Sequence, residues 1–271
     1  DKDVVIMMVQ TVAKRQFAPE ELASFGVLVV DESHHLAAPM LSSALPCFRA
    51  RYVLALTATK ERADGLTHLL HWSMGPEVFR AERKDQHVSV RIEEFPTTGA
   101  EKVTRDGRPL VALMLNLLAK HPARNRYLVR RLLELHAEGR TVIFLSHRTA
   151  QLQAMREGLL EAGLAEEAVG VIEAKHKEEE RERQKARPVL LATYNIADEG
   201  LDTKELDTCV FGTPKARIVQ CTGRIQREAP GKKPPLVIDV ADPGVYYGRL
   251  RNARVNLYRK SGYPVTVVRG E

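Results

Sequence analysis

Four short segments carry residues able to work on a phosphoryl group. The apolar run Val27–Val30 ends in Asp31 and Glu32, with His34 and His35 just beyond. Parallel strands present ligands at their carboxyl ends. Two adjacent carboxylates there can divide the work, one holding Mg²⁺ directly or through water, the other orienting or deprotonating an attacking water. An acidic turn after a strand would carry the same residues. Neighbouring histidines cannot readily chelate one ion, and no cysteine or third histidine lies at ligand spacing, which argues against zinc.

In "LALTATKERADG", Thr57 and Thr59 follow a second apolar run and put two hydroxyls at the same sheet edge, where they could bond the first pair of carboxylates or simply cap the next helix. In "LLATYNIADEGLDTKELDTCVF", Thr193 marks the change from strand to loop, Gly200 lets a backbone approach a ligand, and Asp202 offers a carboxylate to a ribose hydroxyl. An ordinary polar loop with a glycine turn is the plainer reading. In "QCTGRIQR", Arg224 and Arg227 are three apart, so on a helix they share a face and can converge on one anion. Guanidinium forks match phosphate oxygens, although lone arginines more often form surface ion pairs.

These groups need elements to hold them. Apolar, Val- and Ile-rich runs recur at Val4–Val9, Val27–Val30, Tyr52–Leu56, Val142–Leu145, Val189–Ala192, Cys209–Phe211 and Leu236–Val240, and each reads as a strand buried on both faces. Between them lie helical faces: Leu128, Leu132 and Leu135; Leu152, Met155, Leu159 and Ala162; Tyr246, Leu250, Ala253 and Leu257. Alternating strands and helices predict an α/β class with parallel sheets and right-handed crossovers. The charged stretch "RAERKDQH" suggests a boundary, giving domains 1–85 and 86–271. Val88, Val90 and Ile92 then alternate with polar residues, as in a half-exposed edge strand. "PTTGAEKVTRDGRP" reads as a loop or hairpin, and the charged run Lys175–Arg187 as a solvated helix or loop.

A chain of 271 residues, 44% hydrophobic and 28% charged, has ample material for a core, and that composition argues against wholesale disorder. No apolar run approaches the roughly 18 residues of a membrane span, and no leader opens the chain, so the expected setting is inside the cell. Three scattered cysteines fit no disulfide framework. Residues 1–85 hold 10 basic and 11 acidic side chains, net −1; the remainder holds 31 and 24, net +7. That later excess suits a polyanionic partner without requiring one.

The order of the four segments resembles the superfamily 2 helicases and translocases. "DESHH" is similar to motif II, "TAT" to motif III, "FLSHR" at Phe144–Arg148 to motif IV, "ATYNIADEGLD" to motif V and "QCTGRIQR" to motif VI. "LTATKERADG", through Arg62, Asp64 and Gly65, resembles the version in DNA-acting members related to the transcription-repair helicase and to viral and phage helicases. The resemblance implies two RecA-like domains that close on ATP at an interdomain cleft and move along nucleic acid, with DNA favoured over RNA and no membrane partner.

By that resemblance Asp31 would carry Mg²⁺, Glu32 would be the catalytic base, Gln220 would approach the γ-phosphate, and Arg224 and Arg227 would be arginine fingers. Gly200 and Asp202 would reach the nucleotide, while His34, Thr57 and Thr59 would couple nucleotide and strand sites. Gln10, Thr11, Ser146, Arg148 and Thr193 would contact the nucleic-acid backbone.

The chain departs from the family in three places. It has no Gly-x-x-x-x-Gly-Lys-Thr/Ser loop before motif II; "PGKKPP" follows motif VI and is not that loop. With Asp1 rather than methionine at the start, the first domain is expected to be incomplete at its N-terminus and the 271 residues alone to be inactive in hydrolysis. Lys60 replaces a common proline. Met8 stands where a small hydroxyl residue is common, which bears on the contact assigned to Gln10 and Thr11. The alternatives to an ATP-dependent motor are a non-catalytic nucleic-acid-binding or scaffolding protein on the same framework and the motor subunit of a nuclease or restriction complex.

Overall fold

The computed structural model describes residues 3–15, 17–33, 36, 43–57, 67–80, 88–199, 201, 203–216 and 218–270. The chain divides into two units, Asp1–Arg83 and Lys84–Glu271. Both are built on parallel sheets with helices between the strands, an α/β fold of the RecA-like kind.

The first unit runs through helices α1 (Val9–Lys14) and α2 (Pro19–Ala23), strand β1 (Val27–Val30), a 3₁₀ turn at Leu45–Cys47, strand β2 (Tyr52–Ala55) and helix α3 (Thr67–Met74). Proline at its first position and the Glu21 carboxylate, which accepts the Ala18 N–H at 2.8 Å, fix the start of α2. The two strands pair in parallel from Val27 opposite Tyr52 to Val30 opposite Ala55.

Two expectations are corrected here. Val4–Val9 forms no strand: residues 4–8 are irregular, Val9 opens α1, and Val4, Val5 and Ile6 are exposed. A strand exists only in a ladder, and no described segment pairs with this run; instead the Met8 carbonyl accepts the Thr11 N–H at 2.9 Å at the start of α1. Nor are β1 and β2 buried on both faces, since Val27, Val29 and Tyr52 are each more than half exposed.

The second unit holds seven strands: β3 (Ser89–Glu94), β4 (Val142–Ser146), β5 (Val169–Ile172), β6 (Val189–Thr193), β7 (Thr208–Phe211), β8 (Leu236–Ala241) and β9 (Val265–Arg269). All pair in parallel, in the order β5-β6-β4-β7-β8-β3-β9. Helices α4 (Val111–Ala119), α5 (Pro122–Ala137), α6 (Thr149–Glu161), α7 (Glu178–Lys185), α8 (Tyr194–Glu199), α9 (Val219–Arg224) and α10 (Val245–Lys260) join or cover them. One core packs Leu128, Leu132, Leu152 and Met155 against Phe144 and Leu191; another packs Ile143, Leu145, Cys209 and Val237 with Tyr194 and Tyr258. β4, β6, β7 and β8 match the expected burial on both faces, apart from a half-buried residue at one end of β6 and of β8. The segment before α4 turns back at Val103 and Pro109 as a small antiparallel bridge, and α7 is a solvated helix with no buried residue.

β3 differs from its expected place. It lies between β8 and β9, with Val88, Val90, Ile92 and Glu93 all buried. The Glu93 carboxylate takes the hydroxyl of Tyr127 and an Arg131 guanidinium at 3.1 Å, so a polar residue in an alternating pattern points into a paired site rather than to water. The core face of α10 is likewise turned: Tyr247, Arg254 and Tyr258 are buried, while Ala253 is exposed. Arg254 grips Asp239 on β8 with both arms, at 2.7 and 2.8 Å, and Tyr258 adds a bond of 2.9 Å. An apolar tally omits arginine and so displaces the face.

A second buried pair supports the carboxyl edge of the sheet. Arg124 on α5 holds Asp242 at 2.7 and 3.0 Å and also donates to the Gly212 carbonyl, and Thr97 gives Asp242 a further bond of 2.6 Å. Both charged side chains are fully buried. Asp242→Ala would leave a guanidinium without its counter-charge in the core, a change that costs about 3–5 kcal/mol. Urea unfolding of wild type and variant measures it; a loss under 1 kcal/mol would contradict this account.

Candidate functional site

In the first unit the acidic turn sits where β1 ends. Asp31 and Glu32 are exposed, and Asp31 Oδ1 accepts the Glu32 N–H at 2.8 Å. Glu32 has φ +47°, the one non-glycine in the left-handed region among the described residues. Such a conformation costs roughly 1–2 kcal/mol for an L side chain and persists where surrounding structure imposes it. Backbone bonds do so here: Leu56 N–H donates to the Val30 carbonyl at 2.8 Å, and Ser33 N–H to the Leu56 carbonyl at 3.0 Å. Asp31, Glu32 and exposed Thr57 therefore share one sheet edge, and Ser33 is buried beneath them. Gln10 and Thr11 are exposed on α1. His34 and Thr59 lie outside the described residues, as do Lys60 and the Arg62–Gly65 segment.

In the second unit Ser146 and Thr193 are register partners at the carboxyl ends of β4 and β6. Thr193 is half-buried and reaches the edge of the sheet. Ser146, expected to touch a nucleic-acid backbone, is fully buried: it donates to Gln151 Oε1 at 2.7 Å and accepts the Arg148 N–H at 3.0 Å, closing the turn into α6. The Arg148 guanidinium is spent on protein, reaching Asn116 Oδ1 and the carbonyls of Ala112 and His147, the last two at 3.2 Å.

Arg224 and Arg227 follow different courses. The Arg224 guanidinium donates to the carbonyls of Ala197, Asp198 and Leu201 at 3.0, 3.0 and 3.2 Å. Those carbonyls close the end of α8, where a helix leaves acceptors without partners and favours positive charge. Arg224 thus fastens α9 to α8 and to Leu201; Gly200 and Asp202 lie outside the described residues. Arg227 lies one turn on, beyond α9, and is partly exposed. Gln220 is placed in α9 by its backbone alone.

Residues the sequence pattern did not single out complete this edge. The Lys215 ammonium pairs with Asp198 and lies 4.9 Å from the centre of the Tyr194 ring. The Cys221 thiol also bonds Asp198, and burial pushes its pKa up to about 12, which makes it inert as a nucleophile. Thr213 Oγ1 accepts the His147 N–H at 2.9 Å and lies 2.9 Å from His147 Nδ1; its hydroxyl proton on that nitrogen suits a neutral imidazole. Asp198 and the "FLSHR" histidine were visible in sequence, but nothing there joins them to Lys215 or Thr213.

Burial, with the nearby Lys215 and Arg148 charges, lowers the His147 pKa from 6.5 to about 4. The unfolded chain therefore binds more protons between those values. Stability is full above about pH 6.5 and falls as pH drops toward 4, by about 1–3 kcal/mol once partial exposure is allowed for. His147→Gln should remove that share: comparing urea midpoints at pH 7.5 and 4.5, an identical pH response in wild type and variant would refute it.

A family model described as "Type III restriction enzyme, res subunit" matches residues 1–62. The chain is 29% identical over 269 residues to "Putative ATP-dependent RNA helicase L396" of Acanthamoeba polyphaga mimivirus, covering 96% of this chain and 52% of that protein. It is also 29% identical over 274 residues to "Probable helicase D10" of Escherichia phage T5, covering 97% and 59%. The chain spans a little over half the length of these curated relatives. Among solved structures, Saccharomyces cerevisiae Dbp5 L327V bound to RNA and ADP BeF3 aligns with TM-score 0.61 at 12% identity, over 92% of this chain and 61% of that one. T4 UvsW aligns with TM-score 0.51 at 16% identity, over 97% and 57%. At such identities the structural likeness concerns the fold.

Proposed function

We infer that this chain, whose core is RecA-like, of the superfamily 2 helicase kind and homologous to viral and phage helicases, belongs to an ATP-driven motor that moves along DNA. The observation that carries the reading is the acidic turn: two exposed carboxylates at the end of a parallel strand, one in a left-handed conformation, bonded through backbone to the segment bearing Thr57. Exposed carboxylate oxygens are the donors a hard divalent ion takes, so Asp31 fits Mg²⁺. ATP, when bound, supplies the phosphoryl group that passes to water. Glu32 accepts the proton of that water, and partly exposed Arg227 meets the charge developing on the phosphoryl oxygens. Gln220 approaches the γ-phosphate, and Arg224 acts through motif V, whose carbonyls it holds. Gly200 and Asp202 serve the nucleotide; His34, Thr57 and Thr59 link it to the strand site. Gln10, Thr11 and Thr193 offer polar groups to a sugar-phosphate backbone.

DNA is preferred because the "LTATKERADG" segment resembles that of DNA-acting members. The match to the restriction res subunit supports a variant of the same reading, a motor working within a DNA-cutting complex. The test is nucleotide hydrolysis by the complete gene product with duplex DNA, single-stranded DNA or RNA added, together with DNA binding at rising salt. DNA-stimulated turnover and an affinity falling steeply with salt are expected. Stimulation by RNA alone would replace the substrate. Salt-sensitive binding with no hydrolysis would favour the non-catalytic binding protein.

A further inference from the structure

We propose that the outer edge of β9, with the groove beside α10, is a docking site for an extended acidic segment of a partner protein. β9 ends the seven-stranded sheet and pairs on one side with β3. Val90 N–H donates to the Pro264 carbonyl and Gly270 N–H to the Glu94 carbonyl, so even-numbered residues turn their backbone groups inward. The N–H and C=O groups of Val265, Val267 and Arg269 point the other way, and no described strand takes them. Sheet edges are ordinarily covered, shortened or charged because such a row is a template for a further strand. Here its centre is Val267, 57% exposed.

The side chains beside this edge favour a particular addition. A groove of about 590 Å³ is lined by the apolar Ile92, Val255, Val265 and Val267 and by the cationic Arg251 and Arg259, with two asparagines and a tyrosine beside them. Arg251 pairs with Glu94 at 2.8 Å, and the β3–β9 register sets Arg269 opposite Glu94. Two guanidinium groups thus line the groove, one of them paired with Glu94, and Arg269 follows Val267 two residues on along the same strand. Eight helical residues separate Arg251 from Arg259, about 12 Å. Two side chains four apart on a strand are about 13 Å apart. An added strand of pattern Glu-x-Val-x-Glu therefore brings a carboxylate to each end of the groove, a valine to its middle and backbone bonds to β9, the strand-addition mode of peptide recognition. This site is independent of the nucleotide chemistry proposed above.

The probe is a fluorescein-labelled peptide, Thr-Glu-Thr-Val-Thr-Glu-Thr, titrated against the complete gene product by anisotropy. Saturable binding is expected, weakened at least tenfold when lysine replaces both glutamates. Val267→Pro removes an outward N–H and leaves the donors to β3 intact; it should weaken binding at least tenfold, as should Arg259→Glu, which keeps the readout if the proline variant fails to fold. No binding, equal binding of the lysine peptide, or indifference to Arg259→Glu would overturn the proposal. So would self-association lost in Val267→Pro, which makes a second copy the occupant. Slow hydrogen exchange at Val265 and Val267 without peptide would also overturn it, since the protein's own chain would then cover the edge.

Discussion

Arg227→Ala in the complete gene product is expected to lower kcat for DNA-stimulated ATP hydrolysis by about 10³–10⁵-fold, the range for removing a guanidinium from a transferring phosphoryl group. The chain should still fold and DNA affinity should stay near wild type, because Arg227 lies beyond α9 and is partly exposed. Arg224 makes the contrast. Its three bonds to the carbonyls at the end of α8 imply that Arg224→Ala loosens motif V, and Arg224→Lys, with one ammonium for three acceptors, restores only part of the order. Arg224→Ala should therefore lower thermal stability more than Arg227→Ala does. Near-normal turnover in Arg227→Ala would remove its assigned role; a stable Arg224→Ala with lost turnover would return Arg224 to the phosphate.

Glu32→Gln is expected to lower kcat by about 10²–10⁴-fold with little change in KM, since the amide keeps the shape but cannot accept the proton of the attacking water. The backbone at Glu32 permits a second arm. Asparagine tolerates the left-handed region better than glutamate does, so Glu32→Asn should be at least as stable as wild type and equally inactive. A protein that loses stability on replacing Glu32 with asparagine would show that the carboxylate serves the fold. Steady-state kinetics and thermal unfolding on the same preparations separate the two results.

Much of this arrangement was legible in the residues because β-branched runs bounded by polar ends report buried parallel strands directly; β4, β6, β7 and β8 began and ended within a residue or so of those runs. The missed strands had specific reasons. β5 is four residues long and interrupted by Gly170, whose absent side chain makes room for α7: a Cβ there would lie 2.5 Å from the Gln184 carbonyl. β9 follows a helix rich in arginine, and its exposed positions dilute the apolar signal. The Asp239–Arg254 pair left one clue, a carboxylate inside "LVIDVA", since a charge in a buried strand requires a partner. The arginine pair of motif VI shows the opposite difficulty. Three-residue spacing reads the same whether a guanidinium faces a phosphate or the carbonyls of a neighbouring helix, and only the packing of α9 on α8 separates them.

The place of β3 in the sheet has a consequence for how the second unit is made. Ribosomal synthesis delivers β3 about 140 residues before β8 and still longer before β9, the two strands that flank it, and contacts so distant along the chain are slow to form. The nascent polypeptide must carry an unpaired Val88–Glu94 through the production of β4 to β7, exposing a sticky segment to chaperones or to other chains. Translation halted before Leu236 yields a product with neither strand partner for its earliest strand, so premature termination there is expected to favour aggregation over a smaller stable domain.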